Sequence, residues 1–444
     1  MQQKQWKACV HNLGCKVNSY EAQAMEQLLE KAGYEIVPFR PGADVYVINT
    51  CSVTNIADRK SRQMLHRAKK MNPDAIVVAA GCYAQTAGDA VCEDGTVDLV
   101  LGNNRKKNIV EALEEYRRKK SPDSDRIEIG KTGEYEPLWI SSASEHVRAF
   151  VKVQDGCNQF CSYCIIPYAR GRVRSRDIPD ALSEICSLAE SGYREIVLTG
   201  IHLSSYGTDL PEKPGLIDLV REVSHIPGIR RIRLGSLEPG IITREFAQSL
   251  SAIPEVCPHF HLSLQSGCDS TLARMNRKYR TEEYREKCEI LRRFFDNPAL
   301  TTDIITGFPQ ETEEEFRESY GFVSEIRFFE THVFPYSRRK GTRADRMDGQ
   351  IPENVKKERS ARLLDLNQIR QREYAAAWAG REIEVLLEQE ENIGGTDYLT
   401  GHSREYLTVA VLRRPGAAPG DIVRVAAEIP GEDLHCNLTG NIIQ

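Results

Sequence analysis

Cys157, Cys161 and Cys164 stand on one short stretch, Cys-Asn-Gln-Phe-Cys-Ser-Tyr-Cys, and no fourth cysteine follows to complete a set. A structural zinc site is normally closed by four protein ligands, and a bacterial ferredoxin run supplies a further cysteine a few residues on. Three thiolates on one loop suit a cubane iron–sulfur cluster whose fourth iron has no protein ligand. Such an open iron can chelate a small molecule. A zinc knuckle that borrows a distant ligand, or three ordinary loop thiols, are the other readings of this spacing.

A second triad is spread along the first hundred residues: Cys15, Cys51 and Cys82, separated by 36 and 31 positions. Each follows a predicted strand. The strands are Lys7–His11, Asp44–Asn49 and Ala75–Ala80, alternating with amphipathic helices at Tyr20–Ala32 and Asp58–Lys70 in which Met25, Leu28 and Leu29 recur at helical spacing. This is the pattern of a doubly wound α/β domain. In its parallel sheet the loops after the strands emerge at one edge, where distant cysteines converge. Three converging thiols suit a second open cluster; zinc and three buried core thiols are the alternatives. Cys9 lies inside its strand and is expected to be a packing residue. Cys92, Cys186, Cys257, Cys268, Cys288 and Cys436 follow no such rule.

Six more strand candidates lie beyond a polar linker at Arg117–Glu136: Ala149–Gln154, Glu195–Thr199, Arg231–Gly235, His259–Gln265, Thr301–Thr306 and Thr331–Tyr336. Six strand–helix units predict a partial (β/α)6 barrel, with its chemistry at the C-terminal strand ends. The tricysteine loop follows the first of these strands. After a charged helix at about Pro352–Ala379, short strands at Glu382–Glu388, Tyr406–Val411 and Asp421–Ala427, broken by Gly394-Gly395, Gly401 and Pro415–Gly420, predict a small β-barrel of the oligonucleotide-binding type. The expected divisions are 1–116, a linker at 117–142, a core at 143–375 and a terminal barrel at 376–444.

Composition bounds the rest. The 444 residues are 41% apolar and 28% charged, with a net charge of −5 and thirteen cysteines. No run of ~18 apolar residues or charged-then-apolar leader is present, so neither a membrane span nor secretion is expected. An odd number of scattered cysteines fits reduced thiols in a cytoplasm rather than a disulfide scaffold.

Taken together, the C-x3-C-x2-C spacing with aromatic Tyr163 resembles the radical S-adenosylmethionine (SAM) superfamily, and the whole chain is similar to its methylthiotransferase family. Leu13–Glu21 (Leu-Gly-Cys-Lys-Val-Asn-Ser-Tyr-Glu) and Asn49–Gln63 resemble the branch acting on threonylcarbamoyl-adenosine at position 37 of tRNA. Isopentenyl-adenosine enzymes tend to read Gly-Cys-Gln-Met-Asn there, and ribosomal-protein enzymes Gly-Cys-Pro-Lys-Asn. The resemblance implies two 4Fe–4S clusters, SAM, a C-terminal TRAM domain, a tRNA partner, a flavodoxin- or ferredoxin-like electron donor and a sulfur source. It further implies that a deoxyadenosyl radical made at the Cys157/Cys161/Cys164 cluster removes the hydrogen at C2 of the adenine. Sulfur held at the Cys15/Cys51/Cys82 cluster and methylated by a second SAM then joins that carbon. An unactivated C–H bond gives acid–base or nucleophilic catalysis little purchase, so the cofactors carry the hard chemistry.

SAM is expected across the strand ends, against Thr199 and Gly200, Ser236 and Glu238, Gln265 and Ser266, and Asp303 and Gly307. Gly-Phe-Pro-Gln at 307–310 departs from the family's usual Gly-Phe-Pro-Gly. The terminal barrel carries 5 basic and 11 acidic residues, so a broad grip on phosphate is not expected of it; Tyr398, His402 and Tyr406 are its candidates for base contacts. The basic tracts are Arg170, Arg172, Arg174 and Arg176, read as one face of an extended segment, and Arg338, Arg339, Lys340 and Arg343. Methylthiolation of isopentenyl-adenosine or of a ribosomal aspartate is the nearest rival. A non-catalytic RNA-binding metal protein is the rival from another class, and two open triads argue against it.

Overall fold

A computed structural model describes residues 5–88, 90–121, 123–141, 147–431 and 434–443. The first domain is one parallel sheet of β1 (Lys7–Asn12), β2 (Glu35–Ile36), β3 (Val45–Thr50), β4 (Ile76–Gly81), β5 (Leu99–Leu101) and β6 (Asp123–Asp125), in the order β2-β1-β3-β4-β5-β6. Every residue of β3 and β4 is buried, as a parallel sheet covered on both faces requires. Strand alternation sorts the two cores: Val45 and Val47 pack with Met25 and Leu29 of the helix Lys16–Lys31, whereas Tyr46 and Ile48 pack with Leu65 and Ala68 of the helix Asn55–Met71. Both helices start earlier than the hydrophobic pattern indicates. Cys15, in extended conformation, caps the first, and the Thr54 side chain accepts from Ala57 N in the second.

The stretch read as a linker is structured over much of its length. The helix Ile109–Lys119 runs into it, and β6 extends the sheet beside β5. Its Asp-Ser-Asp sequence hides a strand because a sheet edge needs no apolar run. Further on, Leu138 and Ile140 are buried in the next domain's core.

That domain contains β7 (Arg148–Lys152), the short antiparallel pair β8 (Gln154–Asp155) and β9 (Arg174–Ser175), and then β10 (Glu195–Thr199), β11 (Arg231–Leu234), β12 (His259–His261), β13 (Ala299–Thr306) and β14 (Glu330–Pro335). The sheets β7-β10-β11 and β12-β13-β14 are parallel throughout and are stitched together by parallel bridges Ile232–Val256 and Leu237–Leu262. The result is the expected open barrel of six parallel strands.

The helix Glu353–Ala376 packs on β14 and leads into a closed barrel, β15 (Glu382–Ile393), β16 (Thr396–Ser403), β17 (Thr408–Leu412), β18 (Ile422–Glu428) and β19 (Leu438–Ile442). β16 and β19 had no clear strand signal. In β16 the cause is Gly401, where a Cβ would lie 1.9 Å from Leu386 O of β15, so the close approach requires glycine. The barrel docks on the core through Arg231 and Arg233, which donate to the carbonyls of Glu384, His402, Ser403 and Arg404. Among the described residues no helix is long and apolar enough to cross a membrane.

Candidate active site

The tricysteine loop is an excursion between β8 and β9. Gly156, at φ +71°, opens it; a Cβ there would meet Arg172 O at 1.8 Å, so only glycine turns the chain into Cys157. Cys157 N donates to Gly171 O, Ser162 N to Met275 O and Asn276 Nδ2 to Phe160 O, each at 3.0 Å or less. The three cysteines line a cavity of about 330 Å3 with Tyr163, Glu238, Gln265, Arg277 and Asp303. Arg277 donates to Cys161 Sγ at 3.2 Å and to Glu238 Oε1 at 2.6 Å. Burial pushes the Cys157 thiol up to about 11 and Cys164 to about 12, so a metal bound there displaces protons.

The other triad converges at the carboxyl edge of the first sheet. Gly14 and Gly81 precede Cys15 and Cys82; a Cβ on Gly81, at φ +91°, would sit 2.7 Å from Thr50 O. A Cβ on Gly14 would lie 3.3 Å from Cys51 Cβ, which places the Cys15 and Cys51 loops against each other. Burial pushes the Cys51 thiol up to about 11, and Cys82 and Cys15 are near enough to add to the shift. Asn103 Nδ2 lies 3.5 Å from Cys82 Sγ. Each triad thus offers three sulfurs and a neighbouring cation, Arg277 beside one and Arg170 beside the other, a donor set that fits a cluster with one iron left for a non-protein ligand.

Ion pairs tie the two triads into one frame. Buried Glu21, on the helix that Cys15 caps, pairs at 2.9 Å with each of Lys106, Lys152 and Arg170. Arg170 also pairs at 3.1 Å with Asp155, two residues before Cys157. Burial alone would raise Glu21, but these cations outweigh it and hold the carboxyl well below its usual range. The short helices Cys82–Thr86 and Ile166–Arg170 pack together, and Asn103 Nδ2 reaches Ala169 O at 2.8 Å.

A second cavity, of about 520 Å3, adjoins the first, since Asp303 and Phe334 line both. Its wall includes Cys15, Lys16, Thr199, Gly200, Ser236 and Tyr406. His261, Asp303 and His332, from β12, β13 and β14, also lie on this wall, with ligand atoms within 4.8 Å of one another. The ring of Tyr406 stacks between His259 and His402, both centroids 4.6 Å away, and so faces the core rather than solvent.

Of the residues expected to meet SAM, Thr199, Gly200, Ser236, Glu238, Gln265 and Asp303 line one or both cavities. Ser266 and Gly307 do not. The Ser266 hydroxyl accepts from Cys268 N, and a Cβ on Gly307 would lie 2.4 Å from Lys356 Cγ. Gln310 adopts φ +66°, the left-handed conformation that the usual glycine takes without strain, with its N–H donating to Gly349 O.

The arginine tract differs from its sequence reading. Arg170, Arg174 and Arg176 are buried, Arg170 and Arg174 against Asp155 and Arg176 against Glu184, so they present no cation to phosphate. Arg172 is exposed, with its guanidinium over the Phe160 ring. The segment is not one extended strand: Arg170 ends the helix Ile166–Arg170, and of residues 170–176 only Arg172 is exposed, because buried carboxylates claim the other three arginines. In the second tract Arg339 is likewise buried; it pairs with Asp58 at 2.7 Å and donates to Ser52 Oγ, clamping the Cys51 loop to the turn after β14. Arg338 pairs with Asp345, while Lys340 is exposed. Sequence reasoning missed Arg277, in Met-Asn-Arg-Lys-Tyr, and Lys16, directly after Cys15; neither sits at a strand end, where the barrel architecture puts ligand contacts.

Residues 7–102 match the family described as Uncharacterized protein family UPF0004, and residues 151–323 match the Radical SAM superfamily. The chain is 41% identical to threonylcarbamoyladenosine tRNA methylthiotransferase MtaB of Bacillus subtilis (strain 168), over 94% of this chain and 92% of that protein. The chain belongs to the radical SAM methylthiotransferase family. With the MtaB protein of Aquifex aeolicus (strain VF5) the identity is 39%, over 92% of this chain and 99% of that one. With tRNA-2-methylthio-N(6)-dimethylallyladenosine synthase of Moorella thermoacetica it is 35%, over 93% of each. Among solved structures, the methyltransferase TsrM from Kitasatospora setae, with cobalamin and a [4Fe-4S] cluster bound, superposes with a TM-score of 0.53 at 16% identity, covering 74% of this chain and 75% of that one. That likeness is one of fold. Members of this methylthiotransferase family work with SAM and 4Fe–4S clusters.

Proposed function

We propose that the chain is a tRNA methylthiotransferase that adds a methylthio group to C2 of N6-threonylcarbamoyladenosine at position 37. The observation that carries the reading is the pair of adjoining cavities, one lined by Cys157, Cys161 and Cys164 and the other by Cys15, with Asp303 and Phe334 common to both. Cys157, Cys161 and Cys164 would hold one 4Fe–4S cluster, and Cys15, Cys51 and Cys82 the other. When bound, the clusters supply the electron that cleaves SAM and the site from which sulfur is delivered.

The chain's own residues bind, orient and shield. Glu238, Gln265 and Asp303 stand around the core triad, on the cavity wall that a ligand on its open side would meet, and Thr199, Gly200 and Ser236 face the adjoining space. Arg277 fixes Glu238 and lends positive charge to Cys161. Tyr163 and Ile305 give the first cavity apolar wall that limits access of water to a reactive species. Beside it, Tyr168 is 53% exposed and stands edge-on to Phe160, over which Arg172 lies. An exposed and a half-buried aromatic ring with an arginine suit an unstacked anticodon-loop base.

In this reading residues 1–116 carry the sulfur-delivering cluster, 143–375 the radical chemistry, and 376–444 a barrel that closes the second cavity with Tyr406. A low-potential flavodoxin- or ferredoxin-like donor, a sulfur source and a cytoplasmic setting belong to the same proposal. The test is nucleoside mass spectrometry of tRNA from cells with and without the gene. Loss of 2-methylthio-threonylcarbamoyladenosine is the expected result; loss of the dimethylallyl product instead would reassign the substrate.

A further inference from the structure

The cavity beside Cys15 contains one side-chain cation that no carboxylate binds directly. Asp303 on its wall lies 3.3 Å from His261, and Glu330 3.9 Å from His332. His259 shares the Thr301 hydroxyl and stacks on Tyr406. The cations behind Tyr406 are also committed, Arg148 to Glu388 at 3.2 Å and Arg233 to Glu195 at 2.8 Å. Lys16 stands apart. Its side chain lines the cavity and is partly buried; its ammonium feels Tyr406, Arg233, Arg148 and Glu195 at longer range but makes no ion pair or hydrogen bond with any described residue. A partly desolvated cation that faces a cavity and is bonded by no carboxylate is complementary to a ligand bearing one negative charge.

We infer that Lys16 receives the carboxylate of the threonylcarbamoyl group, and so is the residue that selects an acidic N6 substituent over a neutral one. The inference rests on the tRNA methylthiotransferase reading above. A threonylcarbamoyl group carries one carboxylate at neutral pH, and a dimethylallyl group carries none. At about 520 Å3 the cavity falls within the range of ~300–1,000 Å3 common for small-ligand sites. Because Lys16 follows Cys15 directly, the carboxylate anchor and the sulfur-bearing loop are set by one turn of chain.

The experiment uses the full chain and two anticodon stem-loop RNAs, one with threonylcarbamoyladenosine and one in which the threonyl carboxylate is replaced by the amide. KM and kcat are measured on the reconstituted enzyme, and the ratio of the two dissociation constants is measured without reductant. The ratio needs no turnover, so a variant that loads clusters poorly still reports. Wild type should prefer the acid. Lys16→Gln should raise KM for the acid, and reduce the acid-over-amide preference, by about 10–100-fold, the scale of one charge-assisted hydrogen bond. Lys16→Arg should restore the preference. An unchanged preference in Lys16→Gln overturns the inference while leaving the functional reading intact. A wild-type enzyme that ignores the threonylcarbamoyl RNA but modifies a dimethylallyl-adenosine RNA overturns the substrate reading and this inference with it.

Discussion

Nη1 of Arg277 donates to Sγ of Cys161 across 3.2 Å, while Nη2 of the same guanidinium holds Glu238. One side chain therefore couples a thiol of the core triad to a carboxylate on the cavity wall. Arg277→Leu should leave Glu238 in a mostly buried position without its cation. Such broken pairs cost roughly 3 kcal/mol. The 5′-deoxyadenosine yield should fall sharply while the second triad keeps its iron. Wild-type yield in the variant would show the pairing to be incidental.

The two triads separate by chemistry. Cys157→Ala, Cys161→Ala or Cys164→Ala should abolish SAM cleavage. Cys15→Ala, Cys51→Ala or Cys82→Ala should retain it and lose methylthiolated product. Iron per chain should fall from about eight atoms toward four in either set, as expected of one cubane lost from two. Cys9 is inside β1 with its thiol pushed up to about 12 by burial, so Cys9→Ala should leave iron and product unchanged. Loss of product in Cys9→Ala would sink the two-triad assignment.

Surface and buried arginines should behave oppositely. Arg172→Ala combined with Lys340→Ala should flatten the salt dependence of tRNA binding. For each phosphate no longer neutralised, the log–log slope should drop by about 0.9 on a duplex or ~0.7 on a single strand. Arg174→Ala removes one of three cations around buried Asp155 and two hydrogen bonds to the carbonyls of Arg170 and Arg172, and should instead lower the urea midpoint, at a cost in stability of roughly 1–3 kcal/mol. An Arg174→Ala protein of normal stability with a reduced salt slope would reverse this division.

Acid should loosen the docking of the terminal barrel. Burial alone would raise the carboxyl of Glu195, but Arg233 and Arg231 outweigh it and lower it to about 2. A depressed folded value means its contribution is fully present above the unfolded value near 4.5 and is lost as pH falls toward 2. The span corresponds to roughly 3 kcal/mol. Melting temperature measured from pH 6 to pH 3 should fall more steeply for wild type than for Glu195→Gln. Parallel curves would remove Glu195 from the acid response.

The sequence by itself determined much of this protein. Cysteine spacing fixed both triads, because a three-residue and a two-residue gap on one loop, and a cysteine after each of three parallel strands, leave few arrangements open. Hydrophobic periodicity placed β3, β4 and five of the six open-barrel strands to within a residue or two, since buried parallel strands read as apolar runs; the expected His259–Gln265 ran four residues past the end of β12. β6 and β16 were illegible for local reasons: an edge needs no apolar residues, and Gly401 is chosen for a neighbour's carbonyl. Only the tertiary structure decided which charges work at the surface. Arg170 and Arg172 are indistinguishable by type and spacing, yet Glu21 and Asp155, both remote from a surface reading, draw the first inside and leave the second in water. The same holds for Lys16, whose meaning comes from what stands across the cavity. Burial and charge pairing depend on partners on other elements, Glu21 and Arg170 lying 149 positions apart, and no local pattern encodes them.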